Sequence, residues 1–143
     1  MNDTTRDNQT HHLISSLEHI YQLKSIPRSG WLQSGIDELG VESIAAHSYG
    51  MSILILHLRS ELQSAGVNVE RALNMALVHD IAESIVGDMT PQDNVSEGAK
   101  YEAESVAFEQ IVSGVQQGEY FLDLWEDRSE ERRVGKECRS RWS

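Results

Sequence analysis

Between His11 and Leu23 the apolar residues Leu13, Ile14, Leu17, Ile20 and Tyr21 return every third or fourth position, the spacing of one face of a helix. The ten residues ahead of it are polar and are expected to form a flexible lead-in. The stretch "SIPRSGWLQSGI" then breaks the period, with Pro27, Gly30 and Gly35 marking a loop. A longer run follows over residues 42 to 63, "ESIAAHSYGMSILILHLRSELQ". Its middle is apolar nearly all round, which predicts a buried central helix, opened by Glu42 or Ser43 and stopped at Gly66. A third helix is expected over residues 69 to 86, capped near Asn68 and ended by Gly87, with Thr90-Pro91 delaying the next. A fourth should cover residues 97 to 115, with Val106, Ile111 and Val112 as its apolar markers, and "EYFLDLWED" reads as a short fifth. No segment alternates with period two and no stretch repeats. The pattern is that of an all-α fold.

Composition narrows this further. A chain of 143 residues makes one domain with a real core. No apolar run reaches the roughly 18 residues of a membrane span, so no membrane association is expected. The polar first residues lack a basic region followed by an apolar one, so no secretory leader is read there. The one cysteine, Cys138, excludes an intramolecular disulfide framework, and a cytoplasmic location is expected. The net charge of −11 repels nucleic-acid backbones, which argues against a groove-tracking DNA or RNA binder. A small anion can still bind if a metal and a few cations reverse the field locally.

The candidate chemistry lies in "ALVHDIAESIVGDMTPQD", where His79 and Asp80 are followed by Glu83, Asp88 and Asp93. Neighbours on a helix diverge by roughly 100°, so both side chains reach one point only if the helix passes close to it. A divalent ion beside a buried helix meets that condition, and imidazole nitrogen and carboxylate oxygen are ordinary ligands for Mn, Fe, Co, Ni, Zn or Mg. The bare pair also reads as a His satisfied by a backbone carbonyl beside a solvated Asp. Three features favour the metal. The approach "RALNMALV" is apolar, and an unpaired buried Asp is costly. Glu83 falls four residues after His79, on the same helix face. His47, on the other strongly apolar helix, offers a second imidazole, although taken alone it reads better as a satisfied core histidine. His57, His11, His12 and His19 keep bland readings.

"ESIAAHSYGM" followed by "ALVHDIAESIVGDMTPQD" resembles the HD-domain phosphohydrolases, and more narrowly their 5′-deoxynucleotidase branch. The similarity runs from about Leu17 to about Glu126 and includes "IPRSGW" and "LWED". The resemblance implies a helical bundle, usually a homodimer, over residues 11 to 127. It implies that His47, His79 and Asp80 are three of four ligands to one divalent ion. Glu83 and Asp88 match the acidic pair used for proton transfer. Arg28 and Trp31 fall in the loop that binds phosphate and packs on the sugar. The implied substrate is a nucleoside 5′-monophosphate. The alternatives are a catalytically weak or silent HD module, or hydrolysis of another nucleotide.

The resemblance stops near the end. The family's fourth ligand is an Asp on a later helix, yet no Asp follows Asp127. Residues 128 to 143, "RSEERRVGKECRSRWS", hold six Lys/Arg against three Asp/Glu and show no apolar helical face. They are expected to be an unrelated tail, such as vector or frame-shifted sequence, with residues 129 to 143 exposed and away from the metal site. Thr90 and Asp93 are left as loop residues.

Overall fold

The computed structural model of the chain describes residues 3–128. Its elements are α1 (Asp3–Gln22), α2 (Ser29–Gln33), α3 (Ile44–His57), α4 (Arg59–Ser64), α5 (Val69–Val78), α6 (Glu83–Val86) and α7 (Glu97–Val112), followed by a helical segment at 118–128, here α8. Short 3₁₀ turns lie at Glu38–Gly40 and Pro91–Asp93. No strand occurs among the described residues, only an isolated antiparallel bridge between Pro27 and Ser43. The fold is all-α, as the periodicity requires.

Helix starts follow their capping residues. The side chains of Ser43, Asn68 and Ser96 each accept a hydrogen bond from the backbone N–H three residues on, at 3.1–3.2 Å. The helix stops at Gly66 and Gly87 have φ of 82° and 77°, where a Cβ would be strained. Four expectations need correction. Residues 3–10, expected as a flexible lead-in, are helical: α1 begins at Asp3. The supposed loop 25–36 contains the short helix α2. The single helix expected over residues 42 to 63 is broken at Leu58, which separates α3 from α4. The one expected over 69 to 86 opens at residues 79–82 into 3₁₀-like bonds, with Ile81 N–H to Val78 O and Glu83 N–H to Asp80 O.

The core sits where α6, α7 and α8 meet the C-terminal end of α1. Phe108 and Trp125 stack with ring centroids 4.6 Å apart, and Leu23, Ile44, Ile111 and Leu124 close around them. The Trp125 indole N–H donates to Ser105 Oγ at 3.2 Å, which satisfies its one polar atom. Truncating Phe108 to Ala would cost about 3–5 kcal/mol. In α7 the buried face is Glu104, Ala107, Phe108, Ile111 and Val112, whereas Val106, expected as a core marker, is exposed.

The central-helix expectation also fails in part. α3 packs along α5, but within α3 only Ile44, Ser48 and Ser52 are buried. Tyr49, Met51, Ile53, Leu54 and Leu56 are exposed, because among the described residues nothing covers their side of the helix. Leu13, Ile14 and Leu17 on α1 are exposed as well.

Candidate metal centre

α5 ends at Val78, and the tightened turn after it carries His79 and Asp80 toward the first turn of α3. There His47 lies one helical turn beyond the Ser43 cap. One ligand atom from each of His47, His79 and Asp80 lies within 4.8 Å of the others. The two imidazole rings are 5.5 Å apart, centroid to centroid. The helices therefore bring together the three residues that the sequence singled out as ligands.

The hydrogen bonds fix which atoms face the centre. His79 Nδ1 is 2.8 Å from the carbonyl of Ala76, an acceptor only, so in the neutral ring Nδ1 carries the proton. Nε2 then offers a lone pair, and it sits 2.9 Å from Asp80 Oδ2. Two lone-pair atoms at that distance call for a cation, either a metal ion or a proton on the ring. The carbonyl-to-imidazole bond is the usual support of a metal-bound histidine. The two readings of His79 are thus compatible: a backbone carbonyl satisfies one nitrogen and leaves the other free. Burial, then the positive charge of Arg28, hold the His47 imidazole below its ordinary pKa, so it is neutral at pH 7 and able to ligate. Burial raises the Asp80 carboxyl, but its cationic surroundings, Arg128 and Arg28 beside the His79 ring, outweigh it and hold its pKa below the ordinary carboxylate value. An N₂O donor set of this kind fits a divalent first-row metal.

Glu83 opens α6 beneath this cluster and is only 4% exposed. The i→i+3 geometry of the turn puts it on the same side as Asp80. Burial, followed by the charges of Asp80 and Asp88, pushes its carboxyl up to about 8, and among the described residues its Oε2 has no hydrogen-bond partner. Asp88 stands at the other side of Gly87, lines the same cleft, and accepts the Ser29 N–H through Oδ2 at 2.7 Å. That bond anchors the Arg28 loop, which is also held by Arg28 N–H to Glu42 O at 3.0 Å. Thr90 and Asp93 add a third anchor. The Thr90 hydroxyl donates to Gln33 Oε1 at 2.6 Å, and the Gln33 amide reaches Asp93 Oδ1 at 3.5 Å. Thr90 and Asp93 are therefore loop-locking residues rather than passive ones.

The Arg28 guanidinium lies in the cleft, with Nη1 3.4 Å from Asp80 Oδ2. Trp31 does not. Its ring is 48% exposed outside the residues that line the cleft, and its indole N–H points to Glu42 Oε1 at 3.4 Å. α2 turns the two side chains apart, so of the expected Arg28–Trp31 pair only Arg28 lines the cleft. The sequence reading also missed two cations. Lys100 on α7 lines the cleft, pairs with Glu104 at 3.5 Å and donates to the Met89 carbonyl. Its spacing of four from Glu104 was the available signal. Arg128, assigned to the unrelated tail, ends inside the cleft: Nη2 is 3.3 Å from Asp80 Oδ1 and Nη1 is 3.5 Å from Glu104 Oε2. The expectation for residues 129 to 143 lies outside the described residues.

The cleft has a volume of about 1250 Å³, above the roughly 300–1,000 Å³ of ordinary small-molecule sites. Its lining combines the apolar Met51, Ile55 and Met75 with the ionisable cluster.

An all-α domain in which a His-Asp pair on a helix break meets a histidine from a neighbouring helix defines a class of metal-binding helical protein. The chain belongs to the HD domain family, whose model matches residues 20–139, a range that runs past Arg128. It is 38% identical over 117 residues to 5′-deoxynucleotidase HDDC2 of Danio rerio, covering 80% of this chain and 56% of that protein. It is 45% identical over 100 residues to 5′-deoxynucleotidase hdd1 of Schizosaccharomyces pombe, covering 70% and 48%. Among solved structures, a conserved hypothetical protein from Pyrococcus furiosus superposes with a TM-score of 0.67 at 33% identity, over 82% of this chain and 67% of that one. The chain spans about half the length of the curated relatives it matches.

Proposed function

We propose that the site is that of a metal-dependent phosphohydrolase that removes the 5′-phosphate from nucleoside monophosphates, deoxynucleotides among them. The observation that carries this reading is the His47–His79–Asp80 cluster, set beside a buried carboxyl whose Oε2 has no hydrogen-bond partner among the described residues. The names of the relatives support the substrate class.

His47, His79 and Asp80 would hold the ion. When bound, a divalent ion supplies Lewis acidity, offsetting phosphate charge and easing deprotonation of water at neutral pH. Arg28 binds non-bridging phosphate oxygens through its planar fork once it exchanges Asp80 for substrate. Glu83 takes a proton from the attacking water at its free Oε2, and its raised pKa suits that task near neutrality. Water adds to phosphorus and the P–O5′ bond breaks. Asp88 assists the proton's arrival at the departing O5′. The products are the nucleoside and inorganic phosphate. The apolar Met51, Ile55 and Met75 shelter the nucleoside. Phosphate release from a panel of ribo- and deoxynucleoside monophosphates, with Co, Mn or Mg added, tests the reading. Absence of metal-stimulated release from every member, by a folded chain, overturns it for this chain.

A second reading, a weak or silent HD module, is favoured by one contact. Arg128 joins Arg28 in placing a guanidinium on Asp80, where both compete with a metal ion. We further infer that the protein forms a homodimer. The exposed apolar stripe of Leu13, Ile14 and Leu17 supports association. Light scattering tests the dimer.

A further inference from the structure

Glu42 follows the loop of Arg28 and precedes the Ser43 cap of α3. In helix terms it is the residue before the N-cap, and His47 is the fourth residue of the helix. Side chains at these two positions commonly pack on each other and fix how the chain enters the helix. Apolar residues usually make that contact; here an acid and an imidazole do. Glu42 Oε1 is 3.6 Å from His47 Nδ1, and the same oxygen receives the Trp31 indole N–H at 3.4 Å. The backbone on either side is pinned, by Arg28 N–H to Glu42 O at 3.0 Å and by the Pro27–Ser43 bridge. The Glu42 backbone therefore cannot move away from the start of α3 without breaking the loop that carries Arg28.

We propose that Glu42 is a positioning residue for the metal centre: its carboxylate orients His47 through Nδ1, leaving Nε2 for the ion, and Trp31 steers that carboxylate. The inference rests on the metal reading of His47, His79 and Asp80. Its basis is the approach of two ring nitrogens to one carboxylate oxygen: the Trp31 indole N–H, which donates at 3.4 Å, and His47 Nδ1, in ion-pair range at 3.6 Å. A histidine with Nδ1–H held by an acid has its tautomer and ring angle fixed, and its other nitrogen becomes a better donor to the metal. His79 obtains the same service from the Ala76 carbonyl, so the two imidazoles would be held by different devices. The exposed Trp31, which does not line the cleft, acquires a role at one remove from the ion.

The test is Co(II) affinity of the full chain by competition with a chromophoric chelator, together with the visible absorption of bound Co(II). Glu42→Ala should weaken binding about 10–100-fold, the usual cost of losing an outer-shell partner, and shift the Co(II) bands. Glu42→Gln, which keeps an acceptor oxygen, should recover most of the affinity, and Trp31→Phe should lose only a few-fold. In a His47→Gln background the Glu42 change should have no further effect, because it acts through that ring. Wild-type affinity and spectrum in Glu42→Ala overturn the positioning role, as does an equal loss in the His47→Gln background. Unchanged binding on replacing His47 itself overturns the metal reading instead.

Discussion

His79 Nε2 lies 2.9 Å from Asp80 Oδ2, while Nδ1 of the same ring is 2.8 Å from the Ala76 carbonyl. With Nδ1 committed to a backbone acceptor, the short approach on the other side joins two groups that need a shared cation. Adjacent residues of a regular helix would point roughly 100° apart. The helix opens at this pair, and that lets both face the imidazole of His47.

Asp80→Ala should remove bound metal and turnover together. The affinity loss should exceed the ~10–100-fold typical of outer-shell changes, because a ligand and its charge both go. Metal content after gel filtration, read beside phosphate release, checks this. A variant that keeps its metal but loses turnover would move Asp80 from ligand to proton carrier.

Glu83→Gln and Asp88→Asn should leave metal content nearly intact and cut turnover by about 10²–10⁴, the range for proton-transfer groups. Asp88→Asn should also loosen the Ser29 anchor, so a raised KM is expected in that variant alone. If both variants lose metal to the same extent as Asp80→Ala, they are ligands and the assignment of roles fails.

In the metal-free protein, Glu83 binds its proton more tightly folded than unfolded, since burial and its acidic neighbours push its pKa up to about 8. Its contribution favours folding most below the ordinary carboxylate range, and is lost as pH rises from there through about 8. Urea titrations at pH 5, 7 and 9 should show falling stability, with a flatter trend in Glu83→Gln. A divalent ion nearby favours the ionised form, so metal binding at pH 7 should release protons, measurable by calorimetry in buffers of different ionisation enthalpy.

Arg128→Ala should tighten Co(II) binding several-fold, because one of two guanidinium groups on Asp80 is removed. The same change should lower Tm, since Arg128 also pairs with buried Glu104 and covers Trp125 at 4.5 Å. Unchanged metal affinity would show that the guanidinium does not compete with the ion.

Joining residues 1–127 to the C-terminal part of an HD-family relative should raise turnover and reduce aggregation beyond the dimer compared with the 143-residue chain. The exposed side of α3, with Tyr49, Leu54 and Leu56, gives such a segment an apolar surface to cover. Full metal-dependent turnover by the unextended chain would show that residues 128 to 143 do no harm.

What could be read directly from the residues was local. Ser43, Asn68, Gly66 and Gly87 mark helix ends through bonds and dihedrals reaching only a few positions along the chain. The cluster His79, Asp80, Glu83 and Asp88 was legible for a similar reason: so much charge after an apolar run needs a compensating partner. Tertiary structure decided the rest. α3 lacks a polar stripe, so its sequence could not say which face would be buried, and packing against α5 alone left most of it exposed. Trp31 left the cleft because α2 turned its ring toward Glu42, a contact across 11 positions. Arg128 entered the site because α8 extends to it, across 48 positions from Asp80. Periodicity and capping report on neighbours along a helix. Which charge meets which across the cleft depends on how separate helices pack, and residue spacing within one helix carries no record of that.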